Sequence, residues 1–185
     1  DADKESIEFH KDLGTDFKNA GHGLSDESRN RLIEIDKKLI ELGISYSENI
    51  AKDKTELKFS EAELNGLSKN ELNNLKKDKG KFIITMAYPN VNAVSENCNV
   101  RSTREKVWKA FNNRAVKDNI PILKEAVLLR NEKSKLFGFE TWAEYRLQNR
   151  MAKNPKNVDS MYRDLIPKLQ KSAEREKREL VIDGI

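Results

Sequence analysis

Apolar residues recur at helical spacing through most of this chain. Ile7, Phe9, Leu13 and Phe17 predict a helix over 4–18, and Gly21-His22-Gly23 breaks it. Ser25-Asp26-Glu27 opens a longer helix, in which Leu32, Ile35, Leu39, Leu42 and Tyr46 return at steps of three and four as one apolar stripe. From 26 to about 51 it would run ~38 Å at about 1.5 Å per residue, long enough to be the spine of the region. Gly43 lies inside it at some cost in helix propensity.

The period then changes. Residues 55–59 alternate weakly, and 81–87 (Lys-Phe-Ile-Ile-Thr-Met-Ala) is the strongest strand pattern, bounded by Gly80 and Pro89. Paired antiparallel, they predict a two-stranded ribbon. Between them, Ser60-x-x-Glu63 and Ser68-x-x-Glu71 have the spacing at which a Ser hydroxyl and a Glu carboxylate satisfy free backbone N–H groups reciprocally at a helix start. Two short helices parted near Gly66 are expected there, and 90–99 reads as a polar loop. Helices resume at Ser102-x-x-Glu105, followed by Val107, Trp108 and Phe111. Pro121 falls near the start of the next helix, where its missing N–H is harmless. Ile122, Leu123, Ala126, Val127, Arg130 and Phe137 follow, and Gly138 is placed as a C-terminal cap. Thr141-x-x-Glu144 opens a helix through Met151. Asn154-Pro155 opens the last, running through Val158, Met161, Leu165 and Leu169 with a bend expected at Pro167. The fold class is therefore mainly α, a helical bundle-like region with a small two-stranded β ribbon. It divides into long helices (1–53), a small β and short-helix insertion (54–100) and a helical part (101–185).

Composition sharpens this. Charged residues make up 36% of the 185 residues and apolar ones only 37%, which suits helices with heavily solvated outer faces, or buried surface completed by further chain. The net charge is +4, from 35 Lys and Arg against 31 Asp and Glu, with signs interspersed; a nucleic-acid partner calls for a concentrated basic stripe and is not expected. No apolar run is long enough for a membrane span and no signal-peptide pattern opens the chain, so no membrane partner is expected. Cys98 stands alone, so no intramolecular disulfide forms; it reads as a small, partly buried apolar residue in a reducing compartment. A cytoplasmic address is expected, a mitochondrial one being open because the first residue, Asp1, hints at a trimmed or longer chain.

Candidate chemistry is sparse. A zincin places two His at i and i+4 on one helix with a Glu beside the first. Here His10 and His22 fall on different segments across glycines, so no catalytic residue, metal ligand or resident cofactor is assigned. Nucleophile elbows and phosphate-binding loops are missing too. The aromatic pairs Trp108/Phe111 and Trp142/Tyr145 sit at helical spacing and read first as core packing. The alternative is an aromatic lining for a peptide groove, with Trp142, Tyr145, Arg146 and Arg150 as the candidate residues, since an Arg fork holds a peptide carboxylate bidentately. Trp142 in particular is expected to be buried.

From Arg101 onward the chain resembles the family of thimet oligopeptidase and neurolysin. The stretch from Ile122-Leu123-Lys124-Glu125 through Leu129-Arg130 and Lys133-Ser134-Lys135-Leu136-Phe137-Gly138-Phe139 is similar to that family's ILKELVxLRxxKSxLLGF segment. Thr141-Trp142-Ala143-Glu144-Tyr145 and Met151-Ala152-Lys153 follow in the family's order, and Tyr88-Pro89, Cys98, Thr103-Arg104, Val107 and Ala110-Phe111-Asn112-Asn113-Arg114 precede it. Leu39 and Tyr46-Ser47-Glu48-Asn49 extend the likeness into the long helix, so that it covers about 10–180. One departure is Trp142, where the family commonly has a His that is not a zinc ligand. The resemblance implies a parent that is a zinc-dependent endopeptidase, cutting short peptides in a deep channel between two helical domains. The present chain would be its N-terminal, noncatalytic wall, partnered by short peptides and by a C-terminal catalytic domain that carries the zinc. The competing reading is a stand-alone helical module that binds peptides or proteins without cutting them.

Overall fold

A computed structural model describes residues 3–182; Asp1, and with it the reading of the chain's start, lies outside the described residues, as does Ile185. In chain order the helices and strands are α1 (Lys4–Asn19), α2 (Asp26–Ala51), β1 (Glu56–Phe59), α3 (Lys69–Asn73), β2 (Lys77–Asp78), β3 (Lys81–Thr85), α4 (Tyr88–Asn97), α5 (Arg101–Asn112), α6 (Val116–Leu136), α7 (Trp142–Leu147) and α8 (Pro155–Ile182), with a single 3-10 turn at Ala62–Leu64. The fold is mainly α with one small antiparallel sheet. Contacts divide the chain into two compact units, one made of Asp1–Lys38 with Val127–Ile185, the other of Leu39–Ala126.

The second unit is built around its sheet. β1 pairs with β3 in the register Glu56↔Thr85 to Phe59↔Phe82. Period-2 alternation sends Phe82 and Ile84 inward, where they meet Phe59, Leu64, Val94, Cys98 and Val107. The ribbon expected from sequence gains a third strand, because β2 returns against β3 with Lys77 opposite Phe82. Lys79 and Gly80 form the connecting turn, both at positive φ (47° and 78°), as a two-residue hairpin of the primed type needs. The expected polar loop over 90–99 is instead mostly helix α4. Val91, Val94 and Cys98 face the core at steps of three and four, Pro89 occupies an early helical position that needs no N–H, and the Asn90 amide donates to Thr85 Oγ1 at 2.9 Å.

Two other starts differ from expectation. Ser102 caps nothing, since α5 begins one residue earlier behind an extended Val100. Thr103 and Arg104 are used tertiarily: Thr103 Oγ1 donates to the Glu63 carbonyl (2.8 Å) and Arg104 Nη1 to the Cys98 carbonyl (2.6 Å). α6 begins at Val116, which puts Pro121 inside the helix and leaves the Lys117 carbonyl without its usual N–H donor. The early start is set by Ala115, at φ 52°, whose N–H donates to Asp53 Oδ2 at 3.2 Å and whose carbonyl accepts from Asn119 N at 2.8 Å. Trp108, expected in a core, is 61% exposed; Val107 takes the buried position and Phe111 is half-buried, edge-on to Tyr88 at 5.4 Å.

In the first unit the α2 stripe turns Leu32 and Ile35 fully inward. Arg31 grips Glu132 of α6 bidentately (2.6 and 3.0 Å), and Lys133 pairs with Asp36. α6 ends as read from Gly138: its N–H donates to the Lys135 carbonyl and that of Phe139 to Ser134, a Schellman motif with Gly138 at φ 80°. α8 opens at Asn154, whose Oδ1 accepts from Asn157 N at 2.9 Å, and it continues through Pro167. No residue of α1 is buried.

Candidate substrate-channel surface

The Gly138 turn aims the chain at α7, and a complete capping box fixes its direction. Thr141 Oγ1 accepts from Glu144 N (3.2 Å), while Glu144 Oε2 accepts from the N–H groups of Thr141 and Glu140 (3.1 Å each). Trp142 and Tyr145 then share one face of α7, with ring centroids 5.3 Å apart. Tyr145 is the hub: Phe137 stacks on it at 5.1 Å and 15°, and Phe139 meets it edge-on at 5.7 Å. At 6% exposure its ring backs the cluster, and burial pushes its phenol above the usual range, with Asp36 adding to the shift and Arg146 opposing it.

Trp142 is half-buried, where full burial was expected, because its position at the first turn of α7 leaves one side of the indole outside the cluster. Two cations lie near that ring, Arg146 at 5.8 Å and Arg130 at 6.0 Å from its centroid. The structure therefore gathers Trp142, Tyr145 and Arg146 into one aromatic and cationic patch. Arg150 is exposed in the turn beyond α7, where its backbone bonds to Leu147 and Lys153. The sequence reading missed Phe139 and the placing of Arg130; the Phe-Gly-Phe order around the cap was the available signal, since a Schellman turn brings the flanking apolar residues together.

Among the described residues no three His, Cys, Asp or Glu side chains converge as a cation site. His10 Nδ1 lies 2.7 Å from the Ser6 carbonyl within α1, and His22 packs edge-on against Phe17 at 5.2 Å. Cys98 is buried, its thiol donating to the Glu63 carbonyl at 3.4 Å. A zinc site of catalytic type, with about three converging ligands, does not fit these residues. Among the described residues no helix is long and apolar enough to cross a membrane.

Comparison with known proteins gives this patch a context. Residues 94–181 match the model of peptidase family M3. The chain is similar to a thimet-like oligopeptidase of Dictyostelium discoideum, 36% identical over 163 residues, covering 86% of this chain and 24% of that protein. It is similar to oligopeptidase A of Escherichia coli at 32% identity over 181 residues, covering 89% of this chain and 27% of that protein. A mitochondrial intermediate peptidase of Debaryomyces hansenii is 30% identical over 175 residues, covering 88% and 22%. The chain spans about a quarter of the length of the curated relatives it matches.

Proposed function

Because residues 94–181 match the model of peptidase family M3, we propose that this peptidase-related chain is the N-terminal, noncatalytic part of a zinc endopeptidase of short peptides and forms one wall of its substrate channel. The observation that carries the reading is that the family match includes α6, α7 and the turn between them, which build the aromatic patch. The likeness to proteins named oligopeptidases supports short peptides as substrates. Trp142 would offer an apolar face to a peptide side chain, while Arg146, Arg130 and Arg150 would attract its carboxylates. The stretch 54–100 is an insertion between two helical parts of this wall. Metal ligands and the catalytic base belong to the rest of the parent, which would also cover the apolar faces of α1 and α8. Either a cytoplasmic or a mitochondrial address suits such a protein.

The test has two readouts on the purified chain. A quenched fluorescent oligopeptide with added zinc is expected to stay uncut. A short peptide bearing a photo-cross-linker is expected to attach near Trp142, Arg146 or Arg150. Chelator-sensitive cleavage that disappears in His10→Ala or His22→Ala would overturn the noncatalytic reading. Cross-links confined to other surfaces would remove α7 from the wall.

A further inference from the structure

The turn between α5 and α6, in the second unit, holds an arginine whose binding groups are only partly used. Arg114 is half-buried, with its guanidinium carbon 3.8 Å from the centroid of the Phe111 ring. Its Nε donates to the Phe111 carbonyl at 2.9 Å. These two contacts fix the plane of the guanidinium and leave Nη1 and Nη2 uncommitted. Asp53 feels the charge of Arg114, but its carboxylate accepts instead from the backbone N–H groups of Thr55 (2.9 Å) and Ala115 (3.2 Å).

Arg114 lines a cavity of about 220 Å³ whose other walls include Tyr46, Ile50, Phe111, Asn112, Ile120 and Leu123. Among the described residues, Arg114 is the only charged one lining it. Its neighbour there, Asn119, is already committed: it accepts from Asn49 Nδ2 at 2.9 Å and donates to the Tyr46 carbonyl at 3.1 Å. A second cavity of about 470 Å³ shares Ile50 and Arg114 with the first and extends along Asp53, Lys54, Thr55 and Glu56.

A planar donor fork over an aromatic ring, beside a recess that is apolar apart from Asn112 and Asn119, matches a carboxylate in geometry and charge. One cation among apolar walls suits a monoanion joined to an apolar side chain better than a phosphate dianion, which needs more positive charge. We infer that Arg114 anchors a carboxylate of a short peptide in this recess, with an adjoining apolar side chain against Ile120 and Leu123 and the rest of the peptide leading into the larger cavity. The inference rests on the reading of the chain as a peptide-binding wall and adds a second contact point to it.

The carboxylate has two sources, the peptide's C-terminus or an acidic side chain. Three labelled pentapeptides distinguish them: one ending in a free-acid leucine without acidic residues, its C-terminal amide, and an amide carrying one glutamate. Fluorescence anisotropy with the full chain is expected to show one of the two acids binding about tenfold tighter than the plain amide, a difference lost in Arg114→Gln and partly kept in Arg114→Lys. Should Arg114→Gln fail to fold, phenylglyoxal labelling of the unaltered chain reads the same contact, since the favoured acid should protect Arg114 and the plain amide should not. Equal binding of all three peptides overturns the carboxylate anchor and leaves the peptide-wall reading intact. An unchanged preference in Arg114→Gln, or no protection of Arg114, overturns the anchor in the same way. Absence of binding by any of the peptides overturns both.

Discussion

A methyl group on Gly66 would lie 2.1 Å from the Asn97 carbonyl oxygen and 2.8 Å from the Asn99 amide nitrogen. Both obstacles are backbone, held in place by the Asn99 N–H bond to the Asn65 carbonyl (2.7 Å), and Gly66 sits at φ 108° besides. Gly66→Ala should therefore cost more than about 2 kcal/mol, because strain and overlap act together; a urea midpoint within error of the parent's would show that the turn can yield. Ala115 is the opposite case, a residue with a Cβ held at φ 52° where a left-handed backbone costs it roughly 1–2 kcal/mol. Ala115→Gly removes that strain and gives back about 0.5–1 kcal/mol through the looser unfolded chain. The net expectation is a small stabilisation, visible as a rise in the thermal midpoint, and a fall would contradict it. For Trp142, half-burial lowers the stake. Trp142→Ala should cost about 1–2 kcal/mol by chemical denaturation, against the ~3–5 kcal/mol of a fully buried ring.

At the scale of elements, Asp53 shows how one side chain can set where a helix begins. It receives the N–H of Ala115, the residue just before α6, and its carboxyl is held below the usual range chiefly by hydrogen bonding from Thr55, then by Ala115 and the charge of Arg114. A depressed folded value means stabilisation that is fully present above the unfolded value of about 3.9 and is lost as pH falls through the lower folded one. Asp53→Asn should lower stability at neutral pH and flatten its decline below about pH 4; an acid limb as steep as the parent's would exclude this role. That long-range bond is also why Pro121 was misplaced from sequence, since no local signal marks a helix start that depends on a residue in another segment. Elements carrying their own signals were legible: the α2 stripe, the Gly138 cap, the boxes at Ser68 and Thr141, and the alternation of β3. α4 was hidden because polar Asn residues outnumber its inward valines, and β2 because two residues carry no period. Of the candidate site, the pairing of Trp142 with Tyr145 and Arg146 followed from helical spacing alone. The burial of Tyr145 did not, since Phe137 and Phe139 reach it only after the chain turns at Gly138.

Across the whole molecule, apolar surface is spread unevenly. α1 exposes Ile7, Phe9, Leu13 and Phe17, and α8 exposes Met161, Leu165, Ile166 and Leu169, each 38% accessible or more. Contiguous apolar faces of this kind are typical of interaction surfaces. Leu165→Glu with Leu169→Glu should therefore leave the unfolding free energy of this chain within about 0.5 kcal/mol of its parent while reducing its binding of a hydrophobic dye; a large loss of stability would mean that α8 is already packed. The second unit, by contrast, closes around its own interior, and Cys98 is sealed there at 3% exposure. Because the chain has one cysteine, that thiol is a clock. A thiol reagent can reach it only when α4 and the strands part, so its labelling rate, divided by the rate for a free thiol, reads the opening equilibrium of that interior, each tenfold of protection standing for about 1.4 kcal/mol. Followed with and without added peptide, the same single atom would report how far peptide binding holds that sheet shut.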